Sequence, residues 1–103
     1  MAEWLYDVIL HTVIGKRIGT ISIEVMENIV CGELKILNHT EPLSGSVDAE
    51  GNCCLNGFLH TLSREIPFVA VGNISEAGLK LTLQGDQDTY YMTGLAVKKE
   101  DMQ

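Results

Sequence analysis

Val30-Cys31-Gly32-Glu33-Leu34, Leu43-Ser44-Gly45-Ser46-Val47, Leu55-Asn56-Gly57-Phe58-Leu59 and Met92-Thr93-Gly94-Leu95-Ala96 share one pattern, a glycine with an apolar residue two places before it and two places after. Side chains alternate along an extended chain, so each glycine lies on the same face as its apolar neighbours. A glycine inside a strand costs stability and marks a sharp bend or a close approach of another backbone. Four such sites in one phase predict strands that curl tightly, as in a small barrel.

The rest of the chain supports the same architecture. Turn signals recur at Gly15-Lys16, Glu27-Asn28, Asn38-His39-Thr40, Glu50-Gly51, Ser63-Arg64-Glu65, Glu76-Ala77-Gly78 and Gly85-Asp86-Gln87-Asp88. Between them lie eight segments of strand length, near 3–13, 17–26, 29–37, 42–49, 52–62, 66–74, 78–84 and 89–98. Ile21, Ile23 and Val25 alternate with Thr20, Ser22 and Glu24; Leu79, Leu81 and Leu83 alternate with Lys80, Thr82 and Gln84. Such stripes give one buried and one solvated face. No stretch carries a helical period, and the chain between Thr61 and Ile66 has room for one helical turn at most. Every connection is short enough for a hairpin, so sequence neighbours should pair antiparallel. The glycine sites are spaced 13, 12 and 37 residues apart, with weaker counterparts at Gly19 and Gly72. A solenoid would keep one period, so the spacing reflects strand geometry in a meander.

Eight antiparallel strands in sequence order close into an all-β, up-and-down barrel, which removes the edges that invite aggregation. Its inward set is Tyr6, Val8, Leu10, Ile21, Ile23, Val25, Val30, Leu34, Ile36, Leu43, Val47, Leu55, Leu59, Phe68, Ala70, Ile74, Leu79, Leu81, Leu83, Met92 and Ala96. In strand number and meander order the whole chain resembles small calycin-type barrels, the lipocalin and avidin class. It departs from the usual lipocalin opening, a glycine two residues before a tryptophan, because Trp4 follows Met1-Ala2-Glu3. The resemblance therefore implies architecture and transfers no binding residue.

Several strands are apolar on both faces. Leu5, Ile9 and Val13 lie opposite the Tyr6-Val8-Leu10 stripe, and Tyr91, Leu95 and Val97 do the same on the last strand. Closure sets these two strands side by side, so their outer residues form one patch. Phe58, Leu62, Val69 and Val71 form a second. Exposed apolar patches of this kind mark contact surfaces, most simply between two copies of the chain. The expected function is thus that of a protein-interaction, homo-oligomerising barrel. The alternative is a binding protein for a small apolar ligand in the barrel, with Tyr6, Leu34, Phe68 and Met92 as its lining.

Composition narrows the remaining classes. The 103 residues are 46% hydrophobic and 20% charged, which suits one globular domain over 1–103. The net charge of −7, with Lys16-Arg17 and Lys98-Lys99 the only paired cations, argues against nucleic acid and anionic membranes as partners. The acidic start, Met1-Ala2-Glu3-Trp4-Leu5-Tyr6-Asp7, is no signal peptide, and three cysteines, two of them adjacent, point to reduced thiols and a cytoplasmic location.

No catalytic motif is present, and the expectation is a non-enzyme without cofactor or metal. His11, His39 and His60 fall on strand faces or in a turn, and Leu43-Ser44-Gly45-Ser46-Val47 lacks a hydrolase elbow. Cys54 and His60 share a face but stand roughly 20 Å apart, too far for one ion, so a metal site would need ligands from other strands. Asp48, Glu50 and Asn52, and likewise Asp86 and Asp88, read as turn residues, because the full spacing of a calcium loop is missing. Asp7, between Tyr6 and Val8 on the outer stripe of Leu5 and Ile9, reads as an edge or interface carboxylate that limits unwanted association.

Overall fold

In a computed structural model, which describes residues 2–12, 15–60, 64–85 and 88–97, eight strands follow one another. They are β1 (Ala2–Thr12), β2 (Gly15–Met26), β3 (Ile29–Ile36), β4 (His39–Val47), β5 (Asn52–His60), β6 (Glu65–Ile74), β7 (Gly78–Gln84) and β8 (Thr89–Ala96). Each pairs antiparallel with the next, and β8 returns to β1, closing the barrel in sequence order. The closing ladder runs from Tyr6 opposite Ala96 to His11 opposite Tyr91. Among the described residues there is no helix long and apolar enough to cross a membrane.

The glycines act by what they lack. A Cβ on Gly32 would stand 2.0 Å from the Ser22 carbonyl oxygen, and one on Gly45 would stand 2.0 Å from that of Cys54. Both glycines sit on the inward phase, where the strand turns so sharply that it leans on its neighbour's backbone. Gly72, whose flanking pattern is weaker, is as tight, with the Lys80 carbonyl oxygen 2.0 Å from the same position. These bends flatten the barrel to 36 × 30 × 18 Å and bring its walls together.

The space between the walls is filled. The core comprises the expected inward residues together with Cys53 and Ile66, while Val25 and Ala96 pack at its margin and are only partly buried. Tyr6 is fully buried, and its hydroxyl donates to the Ser75 carbonyl oxygen at 2.6 Å. Burial, with the Cys53 thiol close by, pushes the Tyr6 phenol up to about 12. Burial likewise lifts the Cys53 thiol to about 11, helped by neighbouring Cys54 and Asp48.

Two details differ from the sequence-based expectation. The turn after β3 is made by Leu37 and Asn38, both left-handed at φ 56° and 65°, so β4 starts at His39 and not at 42. Two consecutive left-handed residues make the tight hairpin that suits strand twist, and leucine is not a composition signal for it. Glu65 and Ile66 are in β6, which leaves no helical turn reaching Ile66; residues 61–63 lie outside the described residues.

Candidate functional site

The barrel interior offers little room. Tyr6, Leu34, Phe68 and Met92 all point inward and are buried. Among the described residues the void bordered by Leu34, Phe68 and Met92, with Ile21, Leu43, Leu55 and Leu83, measures about 10 Å3, and Tyr6 does not line it. That is the volume of about one water. An apolar ligand would have to displace these side chains to enter.

The outer wall is different. On β1 and β8, Leu95 lies opposite Asp7, Thr93 opposite Ile9 and Tyr91 opposite His11, and the Val97 amide donates to the Leu5 carbonyl at 2.8 Å. On the other side of β1, Ile9 faces Ile18 of β2. Leu95 is 74% exposed, Tyr91 58%, Ile18 80% and Ile9 37%. Closure therefore brings the outer stripes of β8, β1 and β2 into one strip, in which the exposed apolar residues Leu95, Tyr91, Ile9 and Ile18 are interleaved with Asp7, Thr93 and His11. Leu5 and Val97 are half-buried and continue the strip into an open groove of about 780 Å3, floored by Trp4 and Ala96 and rimmed by Glu3, Glu24, Glu33 and Glu76. Asp7 is exposed within this strip. It stands on no sheet edge, because the barrel is closed.

Four strands round the ring, Phe58, Val69 and Val71 are also exposed, though less so. Phe58 and Val69, with Pro42 and Pro67, line a shallow groove of about 450 Å3. Val13 and Leu62 lie outside the described residues.

The polar residues group in ways that single strands do not reveal. Asp48 closes the β4–β5 turn, where its Oδ1 accepts from the Glu50 and Asn52 amides at 2.8 and 3.0 Å and its Oδ2 from Asn52 Nδ2 at 3.1 Å. The Asn52 side-chain bond leads in holding its carboxyl below the usual range. Asp86 lies outside the described residues. Cys31 and Cys54 are exposed on outer faces, while Cys53 is buried.

The histidines give the unexpected result. The β4–β5 ladder joins only Ser44–Val47 to Asn56–Cys53. At the other end of the seam, His39, Glu41 and His60 converge, with one ligand-type atom of each within 4.8 Å of the others. His60 Nδ1 lies 2.5 Å from Glu41 Oε1, its Nε2 lies 2.6 Å from Glu65 Oε2, and its ring is 4.6 Å from that of His39. His39 opens β4 and is not a turn residue, and the partners of His60 come from β4 and β6, away from its own strand. One available signal was Glu41, a charge in the inward phase of Leu43, Gly45 and Val47.

The fold and surface define an eight-stranded, filled meander barrel with an apolar outer strip. No known protein family, curated protein or solved structure matches the chain.

Proposed function

We propose that this protein is a self-associating interaction barrel, and that two copies join through the outer strip of β8, β1 and β2. The observation that carries this is the exposure of Leu95 and Ile18 on one continuous wall. A side chain of this size gains roughly 1.5–3 kcal/mol when fully buried, and a twofold contact uses each residue twice, which is the gain set against the cost of association. The filled interior supports this reading over that of a ligand carrier. In architecture we read the barrel as calycin-type, used for its walls and not for its lumen. The exposed Cys31 and Cys54 thiols and the acidic surface suit a reducing cytoplasm, and nucleic acid and membranes are not its partners.

The test is a comparison of light-scattering mass for the unaltered protein and its Leu95→Glu variant. Leu95 points outward, so the variant should fold with unchanged circular dichroism and run at the monomer mass, while the parent runs at twice 11.3 kDa. Equal masses for the two proteins would remove the strip from the interface.

A further inference from the structure

The seam between β4 and β5 is laddered at one end only, and His39, Glu41 and His60 gather at the other. Glu65 stands behind His60, opposite it in the β5–β6 ladder. Its carboxylate can only accept, so the 2.6 Å contact fixes the proton on His60 Nε2. Nδ1 is then the ring atom turned toward Glu41. That atom is shielded from solvent and forms no hydrogen bond, although Glu41 Oε1 is only 2.5 Å away. Atoms of this kind stand so close only with a cation between them, a proton or a metal ion. The contact lacks hydrogen-bond alignment, and an ion shared by both atoms sits off the line between them.

We propose that His39, Glu41 and His60 bind a zinc ion. Two imidazoles and a carboxylate form a known zinc ligand set, and three protein ligands leave one position for water. The edge of a tetrahedral zinc site is about 3.3 Å, from bonds of about 2.0–2.1 Å. The His60 Nδ1–Glu41 Oε1 pair, at 2.5 Å, is shorter than that edge and must part by about 0.8 Å to take the ion, while one ligand atom of each of the three residues lies within 4.8 Å of the others. His39 is exposed beside the turn, with its ring 4.6 Å from that of His60. Glu65 supplies the outer carboxylate that orients a ligating histidine and raises its basicity. The ion would join β4 to β5 where the ladder does not, and so act as a clip on the barrel's open seam.

The experiment uses zinc chloride alone and the full chain carrying Cys31→Ser and Cys54→Ser, which removes the exposed thiols as competing ligands. Calorimetry should show one equivalent bound at micromolar affinity or tighter, zinc should raise the melting temperature, and cobalt should give a tetrahedral visible spectrum. Glu65→Gln should weaken binding by roughly 10–100-fold and keep the stoichiometry. His39→Ala and Glu41→Gln, checked for native circular dichroism, should abolish it. Absence of saturable uptake at micromolar zinc overturns the proposal, leaving a proton between His60 and Glu41. Uptake undiminished by both His39→Ala and Glu41→Gln overturns it equally.

Discussion

Replacing Gly32 by alanine tests the mechanical basis of the fold. The added Cβ would stand 2.0 Å from the Ser22 carbonyl oxygen and 2.9 Å from the Ile23 Cα, whereas ordinary contact begins at 3.4 Å. The shortfall is about 1.4 Å against backbone, which has no rotamer to yield. The β2–β3 ladder must open there. Overpacking of this kind costs about 1–3 kcal/mol, and one disrupted hydrogen bond adds about 1 kcal/mol. The smaller entropy of an unfolded alanine chain returns about 0.4–1 kcal/mol. The net loss is about 1–3.6 kcal/mol, a fall of roughly 4–29 °C in melting temperature for a domain this size. Gly85→Ala is the control, because its Cβ would meet the end of the Ile66 side chain at 3.2 Å and the Asp88 carbonyl oxygen at 3.3 Å. Gly57→Ala should fall between them, since it meets the ends of Leu43 and Phe68. Urea and thermal unfolding followed by circular dichroism measure all three. Gly32→Ala as stable as Gly85→Ala would refute the idea that the strand leans on its neighbour.

Other outcomes follow from the buried polar groups and the turns. Cys31 and Cys54 should react at once with a thiol reagent and Cys53 only on unfolding, read as two fast equivalents and one slow. The folded-state affinities of Tyr6 and Cys53 for their protons are raised, so the stability they contribute is complete at neutral pH. It should be lost as pH climbs from 9.0 to about 11 for Cys53 and from 10.0 to about 12 for Tyr6, seen as an alkaline unfolding transition. Glu27 is left-handed at φ 57° and exposed, so Glu27→Asn should stabilise the β2–β3 hairpin by up to about 1 kcal/mol in the same urea assay.

Much of the barrel was legible because side-chain direction in a strand depends only on parity. Gly32, Gly45, Gly57 and Gly94 announced the bends through their apolar neighbours, and the Leu79-Leu81-Leu83 stripe announced the inward face of β7. Gly72 was harder to see, because its tightness comes from the Lys80 carbonyl of the next strand and not from its own flanks. The start of β4 was misplaced because Leu37 takes a conformation that its composition does not advertise. The His39–Glu41–His60 cluster was hidden for a different reason. It exists only once the register of β4 against β5 is fixed, and no local pattern encodes the seam that joins them. The outer strip fell between these cases: Leu95 and Tyr91 were readable from parity, while Ile18 joined them through its pairing with Ile9.

The claim that the strip is a contact between copies is tested most directly by the mass of the unaltered chain at sedimentation equilibrium, across a range of micromolar concentrations and salt. Self-association through an apolar wall predicts a mass approaching twice 11.3 kDa, and a shift toward dimer as salt screens the repulsion between two chains of charge −7. A single species of 11.3 kDa at every concentration and salt would contradict it.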